Sequence, residues 1–262
     1  MTIPGVKLRS CGLVALALVL AGCGASADAR APQRHQPPPK PVEVTKTRTC
    51  RPGLHRLGSS RVAYAAVVKR PARAYRRPGG AAFARFGLKN VNGVDTVFGV
   101  SGAVLTRSCH TTWYHVQLPM RPNGAAGYVR ARDLWVARVA ARIEVDVSAR
   151  RLTFFRRGRE VLHARVAVGS GATPTPYGRF YVNQRLVPSD PSGPYGPGAI
   201  GISAFSNVLT GWTQGGPVAI HGTNEPWSIG RAVSNGCIRL PNAVLRRLFR
   251  ATPAGTPVIV HP

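Results

Sequence analysis

Ile143-Glu144-Val145-Asp146-Val147, followed by Ser148 to Arg151 and then Leu152-Thr153-Phe154-Phe155, is the stretch that decides the fold. Its first five residues alternate strictly between apolar and polar, the period of a strand with one face in a core. Ser148 to Arg151 reads as a turn, Leu152 to Phe155 as the returning strand, and Arg156 to Glu160 as a second turn around Gly158. Val161 to Val168 then completes a three-stranded meander. Glu144 and Asp146 share the polar face of the first strand, beside the basic run Arg138 to Arg142. That setting predicts a solvated, salt-paired surface rather than an acid–base pair. Glycosidase chemistry needs two carboxylates placed across a sugar, and this chain holds only 9 acidic residues.

C-terminal to the meander, Gly169-Ser170-Gly171 leads into Thr173-Pro174-Thr175-Pro176-Tyr177-Gly178-Arg179-Phe180. These glycines do not make a phosphate loop, because neither Lys-Ser/Thr nor a helix follows them. The loop Pro188 to Gly201 is long for a connection, and loops of that length often border a site. Val218-Ala219-Ile220 reads as a brief strand that delivers His221 at its end. Pro241 to Phe249 reads as a helix with proline in an early position and Val244, Leu245 and Leu248 on one face. Thr256 to Val260 closes the chain as a last strand. Within this frame stand two chemically loaded segments, Ile220-His221-Gly222-Thr223-Asn224 and Ser234-Asn235-Gly236-Cys237-Ile238-Arg239. A thiol attacks carbonyls as thiolate, and a neighbouring imidazole is the usual means of generating one near neutral pH. The bland alternative is a buried structural thiol, a common fate of free cysteine.

N-terminal to the meander, Arg61 to Val136 is all-β in character. Short apolar runs are broken at Arg70-Pro71, Arg77-Pro78-Gly79-Gly80, Asn92-Gly93, Ser101-Gly102 and Pro122-Asn123-Gly124. Evenly spaced short strands with glycine turns predict a small barrel or sandwich. Ala74-Tyr75-Arg76-Arg77-Pro78, and Trp113 through Gly127-Tyr128-Val129, resemble bacterial Src-homology-3-like domains. Tyr75, Trp113 and Tyr128 are read as core aromatics.

The first residues carry a targeting pattern. Lys7 and Arg9 precede an apolar run from Cys11 to Val19 that ends in Leu20-Ala21-Gly22-Cys23. A basic flank, a short apolar core and small residues at the cut describe a secretory signal over 1–22. The run is too short for a bilayer span, which needs roughly 20 residues. Leu-Ala-Gly-Cys resembles the bacterial lipobox, which implies lipidation of Cys23 and a membrane anchor on the outer face; an ordinary cleavable signal, with Cys23 incidental and the protein secreted to the cell wall, is the alternative. Residues 23–60 then read as a tether, its first half rich in Ala, Pro and Gln with no apolar period. With Cys11 in the leader, Cys23 lipidated and Cys237 reactive, Cys50 and Cys109 are left as a disulfide in an oxidising compartment. Pairing of Cys237 with one of them is the alternative. With no C-x-x-C pair in the sequence, neither a zinc site nor any other metal or cofactor is expected.

Net charge is +27, from 36 basic and 9 acidic residues. Such a field attracts polyanions. The arginines are spread along the chain without a basic helix or zinc-finger spacing, so nucleic acid is not expected as a partner; an anionic envelope polymer is.

From about Arg142 onward the sequence resembles the YkuD-type L,D-transpeptidase catalytic domain, through Thr173 to Phe180, Ile220 to Asn224 and Ser234 to Arg239. Together with the Src-homology-3-like resemblance it implies a mainly β fold: a small Src-homology-3-like β-barrel over 61–137, then a β-rich catalytic domain over 140–262 with a short helix. It implies peptidoglycan stem peptides as substrate and a role in cell-wall biogenesis and cell shape, outside the cytoplasmic membrane, for a monomer. Carried over residue by residue, it implies Cys237 as nucleophile, His221 as base, and the Gly222 carbonyl as the group that orients the imidazole. Backbone N–H groups of Gly236 and Cys237 would hold the oxyanion. Ser234, Asn235 and Arg239 would shape the site, with Arg239 forking onto a substrate carboxylate. Many members carry histidine where this chain has Asn235, so a second imidazole is absent here. The implied reaction forms 3→3 cross-links from tetrapeptide stems. Trimming of stems by hydrolysis, or a non-catalytic wall-binding lipoprotein, are the alternatives.

Overall fold

The computed structural model describes residues 49–262. The leader 1–22, Cys23 and the tether as far as residue 48 lie outside the described residues. The described chain is mainly β, in two eight-stranded sheets and a short two-stranded one, with one α-helix among the described residues.

The first sheet holds β1 (Gly53–Arg56), β2 (Ala63–Val68), β3 (Ala72–Tyr75) and β4 (Ala82–Phe86). It continues with β5 (Val97–Leu105), β6 (Thr111–Gln117), β7 (Ala126–Arg130) and β8 (Leu134–Val139). Its order is β4-β3-β7-β6-β5-β2-β8, with β1 paired to β5 beside that path. Strand β1 lies in the stretch read from sequence as tether, and Gly53 to Arg56 pairs antiparallel with Leu105 to Gly102. Just before it, Cys50 and Cys109 form a disulfide across 59 residues, with Cα atoms 5.0 Å apart. The Cys50 N–H donates to the Arg107 carbonyl at 2.9 Å. The core of this sheet includes Phe98, Val116, Leu118 and Val129, all fully buried.

The second sheet begins with β9 (Ala141–Asp146), β10 (Arg151–Arg156) and β11 (Arg159–Arg165), the antiparallel meander read from the alternation. Ile143, Val145, Leu152 and Phe154 are buried, while Glu144 turns outward to Arg142 at 3.0 Å. Asp146 closes the first turn by accepting from the Ser148 hydroxyl and the Ala149 N–H. The third strand stops at Arg165, short of Val168. Val166 donates to the Arg150 carbonyl, Ala167 exchanges two backbone bonds with Arg239, and β12 (Val168–Gly169) runs parallel to β16 (Ala232–Ser234).

Four further strands extend the second sheet, which β18 completes: β13 (Gly178–Leu186), β14 (Ala199–Phe205), β15 (Pro217–His221) and β17 (Ile238–Arg239). The helix α1 (Asn242–Ala251) and the last strand β18 (Pro257–His261) follow. The order is β11-β10-β9-β18-β13-β14-β15-β17, so the C-terminal strand sits in the middle, parallel to β9 and antiparallel to β13. Gly201 thus falls inside β14, and the loop before it ends at Gly198. Pro241 lies just outside the helix, where its missing N–H costs nothing, and its carbonyl accepts from the Leu245 N–H. Leu245 and Leu248 are fully buried; removing each from water is worth roughly 1.5–3 kcal/mol.

The two large sheets share a core. Ala65, Val97 and Val139 of the first pack in one cluster with Ile143, Phe180, Ile200 and Val258 of the second. The Tyr181 hydroxyl donates to the Val97 carbonyl at 3.1 Å. Gly99 makes room for that ring, since a Cβ there would lie 2.9 Å from it. On the outside, the Asn123 carboxamide donates to the Phe205 carbonyl and accepts from the Phe205 N–H, both at 2.8 Å. Arg121 donates beside it to the carbonyls of Ser206 and Gly215.

Candidate active site

Parallel pairing of β15 with β17 sets Ile220 opposite Ile238 and His221 opposite Arg239. Side chains alternate across a sheet. Ile220 and Ile238, both fully buried, therefore share the core face, and the residues flanking them belong to the other. Those are Ala219 and His221 on one strand, Cys237 and Arg239 at the start of the other. His221 and Cys237 are diagonal neighbours in this register, and Arg239 is charged beside both, since its field acts on each.

His221 is buried, and its Nδ1 lies 2.5 Å from the Gly222 carbonyl. A carbonyl only accepts, so Nδ1 carries the proton and the lone pair is left on Nε2. Burial pushes the His221 pKa down to about 4; the bond to Gly222 opposes that fall and the Arg239 charge adds to it. The imidazole is neutral at neutral pH and able to take a proton. Cys237 is half-buried and is the free cysteine among the described residues. Burial raises its pKa, against smaller opposing effects of a backbone hydrogen bond from Ala219 and of Arg239. Thiol and imidazole therefore rest uncharged together.

The segment before Cys237 is wired through Ser234. Its hydroxyl donates to the Cys237 carbonyl at 2.6 Å and accepts from the Gly236 N–H at 3.2 Å. Gly236 has φ +103°, a conformation that side chains rarely adopt. Of the two N–H groups expected to hold an oxyanion, that of Gly236 is thus already engaged by Ser234. Asn235 is exposed at the apex. Thr173 donates from its hydroxyl to the Ser234 carbonyl at 3.0 Å, and the Ser170 N–H reaches the same carbonyl at 2.9 Å. Thr175 is buried and accepts from the Gly169 N–H at 2.8 Å. The start of the Thr173 to Phe180 motif therefore braces the loop that leads to Cys237.

Arg239 was expected to face a substrate carboxylate, but its guanidinium holds Glu225. The turn at Pro226 to Ser228 brings this about: the Glu225 N–H donates to Thr223 Oγ1, and the Ser228 hydroxyl donates back to the Glu225 carbonyl. Three other residues escaped the sequence reading. Glu225 is one of them. Tyr195, from the Pro- and Gly-rich loop, sets its ring edge-on against His221, with centroids 5.0 Å apart. Asn242 accepts the Thr223 N–H at 2.8 Å through its side chain. A signal existed for Asn242, a carboxamide directly after the proline that opens the helix. Partners of Tyr195 and Glu225 lie at separations that spacing does not encode. Among the described residues no group of three or more His, Cys, Asp or Glu side chains could hold a metal ion.

Residues 140–260 match the YkuD family, described as the L,D-transpeptidase catalytic domain. The chain is 37% identical over 121 residues to the YkuD protein of Bacillus licheniformis, covering 46% of this chain and 66% of that one. It is 36% identical over 119 residues to the YkuD protein of Bacillus subtilis, covering 45% and 65%. The chain thus spans just under two thirds of the length of these relatives. The NMR structure of the catalytic domain from an Enterococcus faecium L,D-transpeptidase aligns at 25% identity and a TM-score of 0.35, over 46% of this chain and 96% of that one. Residues 140–260 thus carry a YkuD domain, the domain described as the L,D-transpeptidase catalytic domain.

Proposed function

We propose that the protein is a cysteine-dependent L,D-transpeptidase that cross-links peptidoglycan stem peptides. The observation that carries this reading is the register of β15 and β17, which makes His221 and Cys237 neighbours on one face while Nδ1 of the imidazole is committed to Gly222. The thiol proton passes to His221 Nε2 as Cys237 Sγ attacks the carbonyl of the third, diamino-acid residue of a tetrapeptide stem. The tetrahedral oxyanion is held by the Cys237 N–H, since Gly236 already donates to Ser234. Collapse breaks the peptide bond, the imidazolium returns its proton to the leaving amine, and D-alanine departs. A side-chain amine of a second stem then attacks the thioester, gives up a proton through His221, and releases the thiol with a 3→3 cross-link formed. The bond broken supplies the energy for the bond made. With both groups uncharged at rest, the proton moves only as the substrate is attacked, which is general-base rather than ion-pair catalysis.

The same proposal places the protein outside the cytoplasmic membrane. The leader 1–22, a lipid on Cys23 and the following tether would hold the first β domain and the catalytic domain at the wall as a monomer. The Cys50–Cys109 disulfide supports an oxidising compartment. Incubation with a purified tetrapeptide muropeptide tests the chemistry. Formation of a 3→3 dimer, lost in Cys237→Ala, is expected; tripeptide without dimer would replace transfer by trimming. Treatment with a carbapenem should leave a covalent adduct on the wild type by mass spectrometry. An adduct that persists in Cys237→Ala would remove Cys237 from the nucleophile's role.

A further inference from the structure

The first sheet carries a positively charged hollow that acyl transfer does not use. Pro71, Arg73, Tyr75, Arg130, Arg132 and Asp133 line a cleft of about 240 Å³. Strands β3 and β7 meet at Tyr75 and Tyr128. Two residues back on β3 and two forward on β7, that antiparallel register sets Arg73 against Arg130. Like charges directly opposite one another destabilise a ladder, and the pairing does not extend that far. The pairing ends before those two positions, and Arg73 and Arg130 both line the hollow.

Arg130 is held in place. Its guanidinium lies 5.7 Å from the Tyr75 ring centre and 5.6 Å from that of Trp113. These two rings pack edge to face at 5.2 Å. Aromatic faces fix a guanidinium's plane while leaving its N–H edge free to donate. Arg73 is exposed, and so is Arg132, whose Nε stands 3.8 Å from Asp133. Three guanidiniums thus face one carboxylate around one cleft, on a chain whose overall charge of +27 draws in polyanions from a distance.

We propose that this hollow binds the phosphodiester groups of a base-free anionic polymer, a polyol phosphate of the cell envelope. Guanidiniums pair bidentately with the two free oxygens of a phosphodiester, and a polymer repeats that charge, matching several arginines around one cleft. Nucleic acid shares the phosphodiester but gains much of its single-strand affinity by stacking bases on open aromatic faces. Here Tyr75 is buried and its ring is engaged by Trp113 and Arg130. The cleft offers charge without a stacking platform. This inference stands apart from the acyl-transfer reading, because it concerns binding by the other sheet.

Titration of the full described chain with a defined poly(ribitol phosphate) at physiological salt tests it. The double variant Arg73→Gln/Arg132→Gln alters exposed side chains and should weaken binding about tenfold, as expected for loss of charge-assisted contacts to phosphate. The control Arg246→Gln/Arg247→Gln removes the same charge from exposed positions on α1 and should change affinity by less than about twofold. Arg130→Lys keeps the charge, loses the planar fork, and should also weaken binding. Activity on a soluble muropeptide should be the same in all of these, which separates failure here from failure of the catalytic reading. Equal losses in both double variants would reduce the effect to overall charge and overturn the site. Tighter binding of single-stranded DNA of equal phosphate number, sensitive to the same variants, would overturn the choice of polymer.

Discussion

The two large sheets solve opposite problems with the same alternation. The second turns polar residues inward at one edge, burying His221 with its proton fixed and bracing Cys237 through Ser234 and Thr173. The first turns its charges outward, stacking arginines on aromatic rings and leaving a cleft between β3 and β7. They are nevertheless not independent bodies, because Ala65 and Val97 of the first lie in the core of the second. The chemistry proposed is confined to one sheet while cohesion is shared by both.

Four experiments press on that contrast. The largest effect belongs to the second sheet alone. His221→Gln should slow acylation of Cys237 by about 10²–10⁴-fold, the range for loss of a general base, read from the rate of carbapenem adduct formation. A loss of less than tenfold would place the base elsewhere. Next comes acid. The folded chain holds the His221 pKa at about 4 against an ordinary value of 6.5, so as pH falls the unfolded chain takes up this proton first. Stability therefore declines between those two values, by about 3 kcal/mol at about 1.4 kcal/mol per unit. Urea unfolding at stepped pH should show the slope, and His221→Asn should flatten it.

Shared cohesion is probed by Gly99→Ala, which sets a Cβ 2.9 Å from the Tyr181 ring. Overpacking of this kind costs about 1–3 kcal/mol. If the sheets cohere, one unfolding transition shifts as a whole; two separate transitions would break the comparison. The smallest effect is expected outside the core. Asn123→Ala leaves the Phe205 N–H and carbonyl without the carboxamide that pairs them, costing about 1–2 kcal/mol. Faster amide exchange confined to Phe205 to Gly216 is its signature.

Legibility in the sequence divided along physical lines. Alternation from Ile143 to Val147 dictated a strand with a buried face, and the turns at Ser148 to Arg151 and around Gly158 set the order of the meander. Proline followed by Val244, Leu245 and Leu248 marked the helix to within two residues of its end, Ala251. Where contacts depend on which strand lies beside which, the sequence was silent. Nothing in Thr256 to Val260 says that it inserts between β9 and β13, and nothing in Arg239 says that Glu225 will reach it first. His221 and Cys237 could be singled out from the chain because residue type and local wording suffice to nominate them, and the register of β15 and β17 makes them neighbours. Tyr195 was not, since a tyrosine in a loop says nothing about the ring it will meet. The third strand was read too long because Val166 to Val168 are apolar enough for the meander yet pair elsewhere.

The Asn123 carboxamide mimics one peptide unit of a neighbouring strand, and it sits on a turn made early in the chain. A polypeptide is synthesised from its N-terminus, and its domains tend to fold as they emerge. On a chain exported N-terminus first, the first sheet can therefore be complete, with Asn123 and Arg121 in position, before Phe205 to Gly216 has crossed the membrane. That later loop meets a finished surface carrying the donors and acceptor that its backbone needs. The first sheet acts as an internal mould for the strand that will carry His221, so the order of the two halves along the chain matters as much as their contact.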